Sequence, residues 1–242
     1  MNLIECTGLK FGYPGQTALA CPDFTVGTGD YIHIAGPNGI GKTTLLRVLA
    51  GLLVPFAGRV VRAPELGRGA IGYVPQRSPL QDDFPATVWE VVLSGCQSLR
   101  GTRPFYRDSE KQLARAALRR FGIEDLAPRS YRELSGGQRQ RALLARSMAI
   151  PRKVLLLDEP MIGLDPHAIK ELKGCLEEMR SQGKTLLIST HIIDSVDMLW
   201  DRTIIMQKGT VRANVQRQEL EQNAQTLEQL FFSVTEGLEE EQ

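Results

Sequence analysis

Three short apolar runs punctuate the chain: "YIHIAG" at residues 31–36, "KVLLLD" at 153–158 and "TLLIST" at 185–190. Each is long enough for one strand buried on both faces, and each is followed by a helical pattern. That rhythm predicts an α/β fold with an open parallel sheet. In "DPHAIKELKGCLEEM", Asp165 suits an N-cap, Pro166 suits the first helical position, and Ile169, Leu172, Leu176 and Met179 recur on one face. Upstream, "LIECTGLKFGY" and "TALACPDFTV" read as short strands with turn signals, an antiparallel β flank. From about residue 77 to 134 the pattern turns helical and more charged, interrupted by "RGTRPFYRDS".

This pattern divides the chain at residues 1–77, 78–134, 135–212 and 213–242: a core interrupted by a helical insertion, then a C-terminal tail. The insertion opens on a T-x-x-E capping box, Thr87 and Glu90, with Val88, Val91 and Val92 on the inward face. Trp89 turns to another side and is a candidate partner contact. The basic stretch 100–107 reads as a solvated linker. The tail offers a small apolar cluster, Leu227, Leu230 and Phe231, before an acidic, frayed end.

Composition narrows the partners more than the chemistry. Lys and Arg number 29 against 28 Asp and Glu, so no basic field marks a nucleic-acid binder. Cys6, Cys21, Cys96 and Cys175 match no zinc or redox spacing, which suggests reduced, mostly buried thiols in a cytosolic setting. The N-terminus lacks a signal-peptide pattern and no run spans a bilayer, so a membrane role needs another chain.

The chemistry begins after the first apolar run. "GPNGIGKTTLL" places Gly36, Gly41, Lys42 and Thr43 in the pattern G-x-x-x-x-G-K-[ST], between a strand and a helix. Glycines there let backbone N–H groups converge on phosphate oxygens, Lys42 would reach the β and γ phosphates, and Thr43 would bind Mg²⁺. The second apolar run ends in Asp158 and Glu159 at the carboxyl edge of the sheet, where open α/β folds bind ligands. Asp158 suits water-mediated Mg²⁺ binding and Glu159 suits a general base.

The segment "ELSGGQRQRALLARSMAI" decides among phosphate-loop proteins. Ser135 is a good N-cap, and Gly136 and Gly137 bare a helix N-terminus that can face an anion. The order of phosphate loop, Gln76 in "YVPQ", LSGGQ, "LLLDEP", "GLDP" and His191 in "LLISTH" resembles the ATP-binding-cassette (ABC) family, from about Tyr13 to His191. The resemblance implies a P-loop NTPase, RecA-like core hydrolysing ATP with Mg²⁺. Gly36, Asn38, Gly39, Gly41, Lys42, Thr43 and Thr44 would form the ATP-binding loop, and Tyr13 would stack on adenine. Gln76 would touch Mg²⁺ or the attacking water, and His191 the γ-phosphate. Ser135, Gly136, Gly137 and Gln138 would close on ATP held by a second subunit, which Asp165 would contact. Two departures are mild: Ile40 is bulky for that loop, and Ile192 follows His191 where the family often has Asp.

Such a subunit is expected to work as a dimer, a homodimer in the simplest case. It would sit on the cytoplasmic face of the membrane through separate permease subunits, with no nucleic acid. A soluble cassette acting on ribosomes or DNA would carry tandem cassettes, a coiled coil or a basic arm, none of which is visible; a kinase has no use for LSGGQ. For cargo, "YVPQRSPLQDDFPATVWEVVLSG" is similar to ATPases of zinc, manganese and iron-chelate importers, whereas "DEPMIGLDPHAIKELK", "STHIIDSV" and "LEQLFFSVTEG" are similar to cassettes of export-type permeases. The insertion meets the permease, so metal-ion import carries more weight than export.

Overall fold

Continuous apolar runs demand cover on both faces, and the sheet supplies it. The computed structural model describes residues 1–15, 18–67, 69–76, 85–191 and 200–236. In chain order its elements are β1 (Asn2–Phe11), β2 (Leu19–Cys21), β3 (Phe24–Gly27), β4 (Tyr31–Ala35), α1 (Lys42–Ala50), β5 (Ala57–Arg62) and β6 (Ile71–Val74). There follow α2 (Val88–Leu93), α3 (Gln97–Arg100), α4 (Asp108–Arg120), α5 (Gly136–Met148), β7 (Val154–Asp158), α6 (Pro166–Ser181) and β8 (Thr185–Thr190). The chain continues through β9 (Arg202–Gln207), β10 (Thr210–Gln216), α7 (Arg217–Gln222) and α8 (Leu227–Glu236).

The strands form one mixed sheet ordered β3-β1-β2-β10-β9-β4-β8-β7-β6, with β5 also paired to β1. From β6 to β9 neighbouring strands run parallel, while β1 pairs antiparallel with β2, β3 and β5. Every residue of β4, β7 and β8 is buried, as their unbroken apolar character requires. One face, with Ile32, Ile34, Leu156 and Leu187, packs on Leu45, Leu46 and Leu49 of α1. The other, with Leu155, Leu157, Leu186 and Ile188, packs on α5 and α6 through Leu143, Leu144, Leu172 and Leu176.

The insertion helices lie between β6 and β7, and the Thr87–Glu90 capping box is present, with the Glu90 amide donating to Thr87 Oγ1 at 3.2 Å and Glu90 Oε2 accepting from the Thr87 amide at 2.7 Å. Val88, Val91 and Val92 are buried as the pattern predicts. Trp89 is half-buried against the same core with the Arg115 guanidinium 5.6 Å from its ring, so it packs within the insertion. On α6, Leu172, Leu176 and Met179 are buried, and Ala168 takes the place expected of Ile169.

Two stretches carry more structure than their composition suggests. The basic stretch after α3 is pinned, because Arg103 donates to the Arg100 carbonyl at 2.9 Å and pairs with the buried Glu110, while Arg100 lies over the Tyr106 ring. The segment read as a tail holds the end of β10 and the helices α7 and α8, with Leu220 and Leu227 buried. The acidic residues 237–242 lie outside the described residues.

One buried residue of β4 breaks its apolar pattern. His33, in the middle of β4, is fully buried, and neither ring nitrogen has a hydrogen-bond partner. Burial, helped by the charge of Lys42, pushes its imidazole down to about 3. An unfolded imidazole titrates near 6.5, so below that pH the unfolded chain binds a proton that the folded chain refuses. The stability associated with neutral His33 is complete above about pH 6.5 and is lost as pH falls toward 3. The expected slope is about 1.4 kcal/mol per pH unit. Denaturant unfolding between about pH 5.5 and 4 should include that slope, and His33→Leu should lower the total by one proton's worth.

Candidate functional site

At the carboxyl edge of the parallel strands, β4 gives way to the loop that leads into α1. Gly36 has no room for a side chain, since a Cβ there would stand 2.5 Å from the Met206 carbonyl oxygen. Gly39 and Gly41 have φ of 79° and 105°, which L-residues rarely adopt. Gly41 is the N-cap of α1 and offers no side-chain cap, so the first amides of α1 are left for another acceptor. These residues bound a hollow of about 470 Å³ lined by Asn38, Gly39, Gly41, Lys42, Thr43 and Thr44, together with Gln76 and Glu159. Every loop residue expected to bind ATP, apart from Gly36 just behind it, thus meets Gln76 and Glu159 around one space.

Lys42 is almost fully buried, and its ammonium donates to the carbonyls of Gly36 (2.7 Å) and Pro37 (3.1 Å) and pairs with Glu159 Oε1 at 3.2 Å. Glu159 is also buried and sits at φ 50°, a strained setting for a non-glycine residue. Its amide is held by the Ser189 carbonyl and hydroxyl, each at 3.1 Å. The other carboxylate oxygen, Oε2, lies 3.0 Å from His191 Nδ1. The general-base candidate therefore stands between a cation and the predicted switch histidine.

Asp158, one residue earlier, accepts three hydroxyl hydrogen bonds. Thr43 Oγ1 (2.9 Å) and Ser189 Oγ (2.7 Å) donate to Oδ1, and Tyr73 Oη (3.3 Å) donates to Oδ2. Burial, reinforced by the Asp158 charge, pushes the Tyr73 phenol up to about 12. Thr43, Asp158 and Gln76 are oxygen donors of the hard type that Mg²⁺ prefers.

The LSGGQ residues lie elsewhere. Ser135 caps α5, its hydroxyl accepting from the Gln138 amide (3.3 Å) while Gln138 Oε1 accepts from the Ser135 amide (3.0 Å). Ser135 and Gly136 are exposed, Gly137 and Gln138 half-buried, and none of the four lines the phosphate-loop hollow. Asp165 caps α6 through the Ala168 amide at 2.9 Å and lies 3.5 Å from Arg141 of α5. That amide bond, with the nearby guanidinium, holds its carboxyl below the usual range. Tyr13 is also apart: its hydroxyl accepts from Arg47 Nη1 at 2.5 Å, and it lines a larger cleft of about 790 Å³ between α1, β6 and the insertion.

Sequence reasoning missed Tyr73, Ser189 and Arg47. Ser189 stands one residue before Thr190 in a wholly buried strand, where a serine reads as a tolerated core residue. Its signal was position, because β8 runs parallel beside β7 and brings Ser189 level with Asp158. Tyr73 shares the "YVPQ" segment with Gln76, and Arg47 follows Thr43 by one helical turn.

A glycine loop, a buried lysine and a strand-ending acidic pair on this sheet define a nucleotide-binding P-loop ATPase. The ABC transporter family model matches residues 19–162, and the chain belongs to that family as an ATP-binding and ATP-hydrolysing subunit. It is 36% identical over 212 residues to the manganese transport system ATP-binding protein MntA of Synechocystis, covering 85% of this chain and 81% of that protein. It is 35% identical over 211 residues to the manganese transport system ATP-binding protein MntB of Listeria monocytogenes, covering 86% and 88%. A metal-chelate type ABC transporter solved in an inward-facing conformation matches with a TM-score of 0.78 at 30% identity, covering 95% of this chain and 88% of that one. Subunits of this family pair with membrane permease components. Among the described residues no helix is long and apolar enough to cross a membrane.

Of the sequence clues to cargo, all of "RSPLQDDF" (77–84) and all of "IIDSV" (192–196) lie outside the described residues. Lys42→Ala should abolish ATP hydrolysis and strongly weaken nucleotide binding, because among the described residues no other ammonium lines the hollow. Turnover near wild type in a phosphate-release assay would refute the site.

Proposed function

We propose that this chain hydrolyses ATP with Mg²⁺ in a sandwich of two copies and thereby drives metal-ion import through a membrane permease. The observation that carries the catalytic part is the placement of Glu159 between Lys42 and His191, one residue from Asp158. In this reading the amides of the loop and α1 bind the phosphates, and Lys42 exchanges its bonds to Gly36, Pro37 and Glu159 for β- and γ-phosphate oxygens. Thr43, Asp158 and Gln76 hold Mg²⁺, which supplies charge neutralisation across the β and γ phosphates. Glu159, relieved of Lys42, accepts a proton from the attacking water, and His191 orients the same carboxylate.

Dimerisation is supported by the signature helix. Ser135 and Gly136 face outward, away from the chain's own loop, so the α5 N-terminus is free to meet a phosphate held by a partner. Tyr13 would stack on adenine only after leaving Arg47, a rearrangement within one side chain's reach. Attachment to the inner face of the membrane would use the cleft beside the insertion. Among the described residues its lining includes Arg47, Arg146 and Arg152 and no acidic side chain; exposed Leu52 also lines it, and exposed Val54 and Phe56 follow closely in sequence. Manganese transport in the relatives' names supports a metal cargo.

Glu159→Gln should slow hydrolysis by roughly 10² to 10⁴, the usual worth of a general base. ATP should bind at least as tightly as to wild type, because the change removes the carboxylate that competes for Lys42. Equilibrium binding and single-turnover hydrolysis separate the two effects; hydrolysis within threefold of wild type would remove Glu159 from the mechanism.

A strain lacking the chain should grow poorly under manganese, zinc or iron limitation and recover when that metal is added. Normal growth under all three limitations, with sensitivity to an exported compound, would replace import by export.

A further inference from the structure

Thr43 and Arg47 lie four residues apart on α1 and so share one face of it. That face meets two side chains from neighbouring parallel strands, Asp158 at the end of β7 and Tyr73 on β6. Thr43 donates to Asp158 Oδ1, Tyr73 donates to Asp158 Oδ2, and the Arg47 guanidinium donates to the Tyr13 hydroxyl and lies beside Tyr73 in the same cleft lining. The four side chains lie together between one helix and two strands. One end is the carboxylate beside the phosphate loop. The other end, Arg47 with Tyr73 and Tyr13, lines the 790 Å³ cleft against the insertion.

We propose that Tyr73 is a positioning residue that fixes the rotation of the Asp158 carboxylate and places that carboxylate next to Arg47 at the cleft. The inference rests on the reading of Asp158 as an Mg²⁺-holding group. A carboxylate has two oxygens, and its torsion is soft unless both are held. Thr43 and Ser189 both bond to Oδ1, so they leave the carboxylate free to pivot about that oxygen. The Tyr73 hydroxyl removes this freedom by holding Oδ2. Arg47 beside it favours the phenol orientation that presents an oxygen lone pair, since a guanidinium donates only. The phenol then spends its single proton on Asp158. An acidic group entering the cleft would draw Arg47 toward itself, and among the described residues the lining offers it no competing carboxylate. The phenol would then lose the neighbour that aims it, and the Asp158 oxygen nearest the cleft would be loosened.

Tyr73→Phe tests this with the ring kept and only the hydroxyl removed. In the isolated full-length chain, nucleotide binding measured in EDTA should match wild type. The Mg²⁺ concentration giving half of the metal-dependent gain in ATP affinity should rise about three- to tenfold, the usual net worth of one intramolecular hydrogen bond. The thermal midpoint without nucleotide should stay within a few degrees of wild type. Arg47→Met, which leaves Tyr73 and Asp158 in place, should shift the Mg²⁺ requirement in the same direction by a smaller factor. An unchanged or lowered Mg²⁺ requirement in Tyr73→Phe overturns the proposal, as does a loss of EDTA binding in parallel with the metal-dependent binding, which marks a purely structural role. Failure of wild type to bind ATP in an Mg²⁺-dependent way would instead overturn the underlying reading of Asp158.

Discussion

Two buried carboxylates at the end of one strand set the terms for the rest of the structure. Asp158 and Glu159 are almost fully removed from water, and an ionised carboxylate so placed must be paired or heavily hydrogen-bonded. The two are satisfied differently. Asp158 is surrounded by hydroxyls, which stabilise a charge while leaving room for a cation; Glu159 is paired with Lys42 and His191, groups that can exchange it for phosphate oxygens. The sheet order follows from this demand. Only strands running parallel beside β7 can deliver Ser189 from β8 and Tyr73 from β6 to the same edge as the loop after β4.

The insertion is joined to this edge by a small number of polar ties. The buried Gln140 side chain of α5 donates to the Pro160 carbonyl just past Glu159, at 3.2 Å. Arg152 donates to the carbonyls of Gly69 before β6, Gly95 after α2 and Ser147 near the end of α5. A guanidinium has five donors in a rigid fork, so one side chain can fix three backbone segments at set angles. The segment before β6, the strand that carries Tyr73 and leads to Gln76, is thereby joined through one side chain to the ends of α2 and α5.

Much of this was legible in the sequence where one residue type does one job. The glycine loop, the acidic pair and the LSGGQ cap each declare themselves by composition and spacing, and β4, β7 and β8 by unbroken apolar character. What escaped was cooperative. Ser189 and Tyr73 acquire their roles only when three non-consecutive strands align, and strand order does not follow from local pattern. β6, β9 and β10 were missed as strands because they are short or alternate weakly, and their pairing is decided by neighbours. His33 was absorbed in an apolar run although it carries two orphaned nitrogens. The basic stretch after α3 looked solvated because the sequence does not reveal that Glu110, one turn into α4, turns inward to hold Arg103.

The cap on α5 bears on how a two-copy sandwich would open and close. Ser135 and Gln138 spend their polar atoms on each other's backbone in a reciprocal box. A phosphate from a partner would take over the amides of the α5 N-terminus that the box serves, so closing exchanges one set of hydrogen bonds for another. Such an exchange has a small net free energy, about 1 kcal/mol per bond, even though each new bond is charge-assisted. Tight closure then depends on the charge of the γ-phosphate itself rather than on the protein–protein surface. Once hydrolysis removes that charge from the interface, the Ser135 and Gln138 amides would return to the box within their own chain, which would let the partners separate without stranding those two groups.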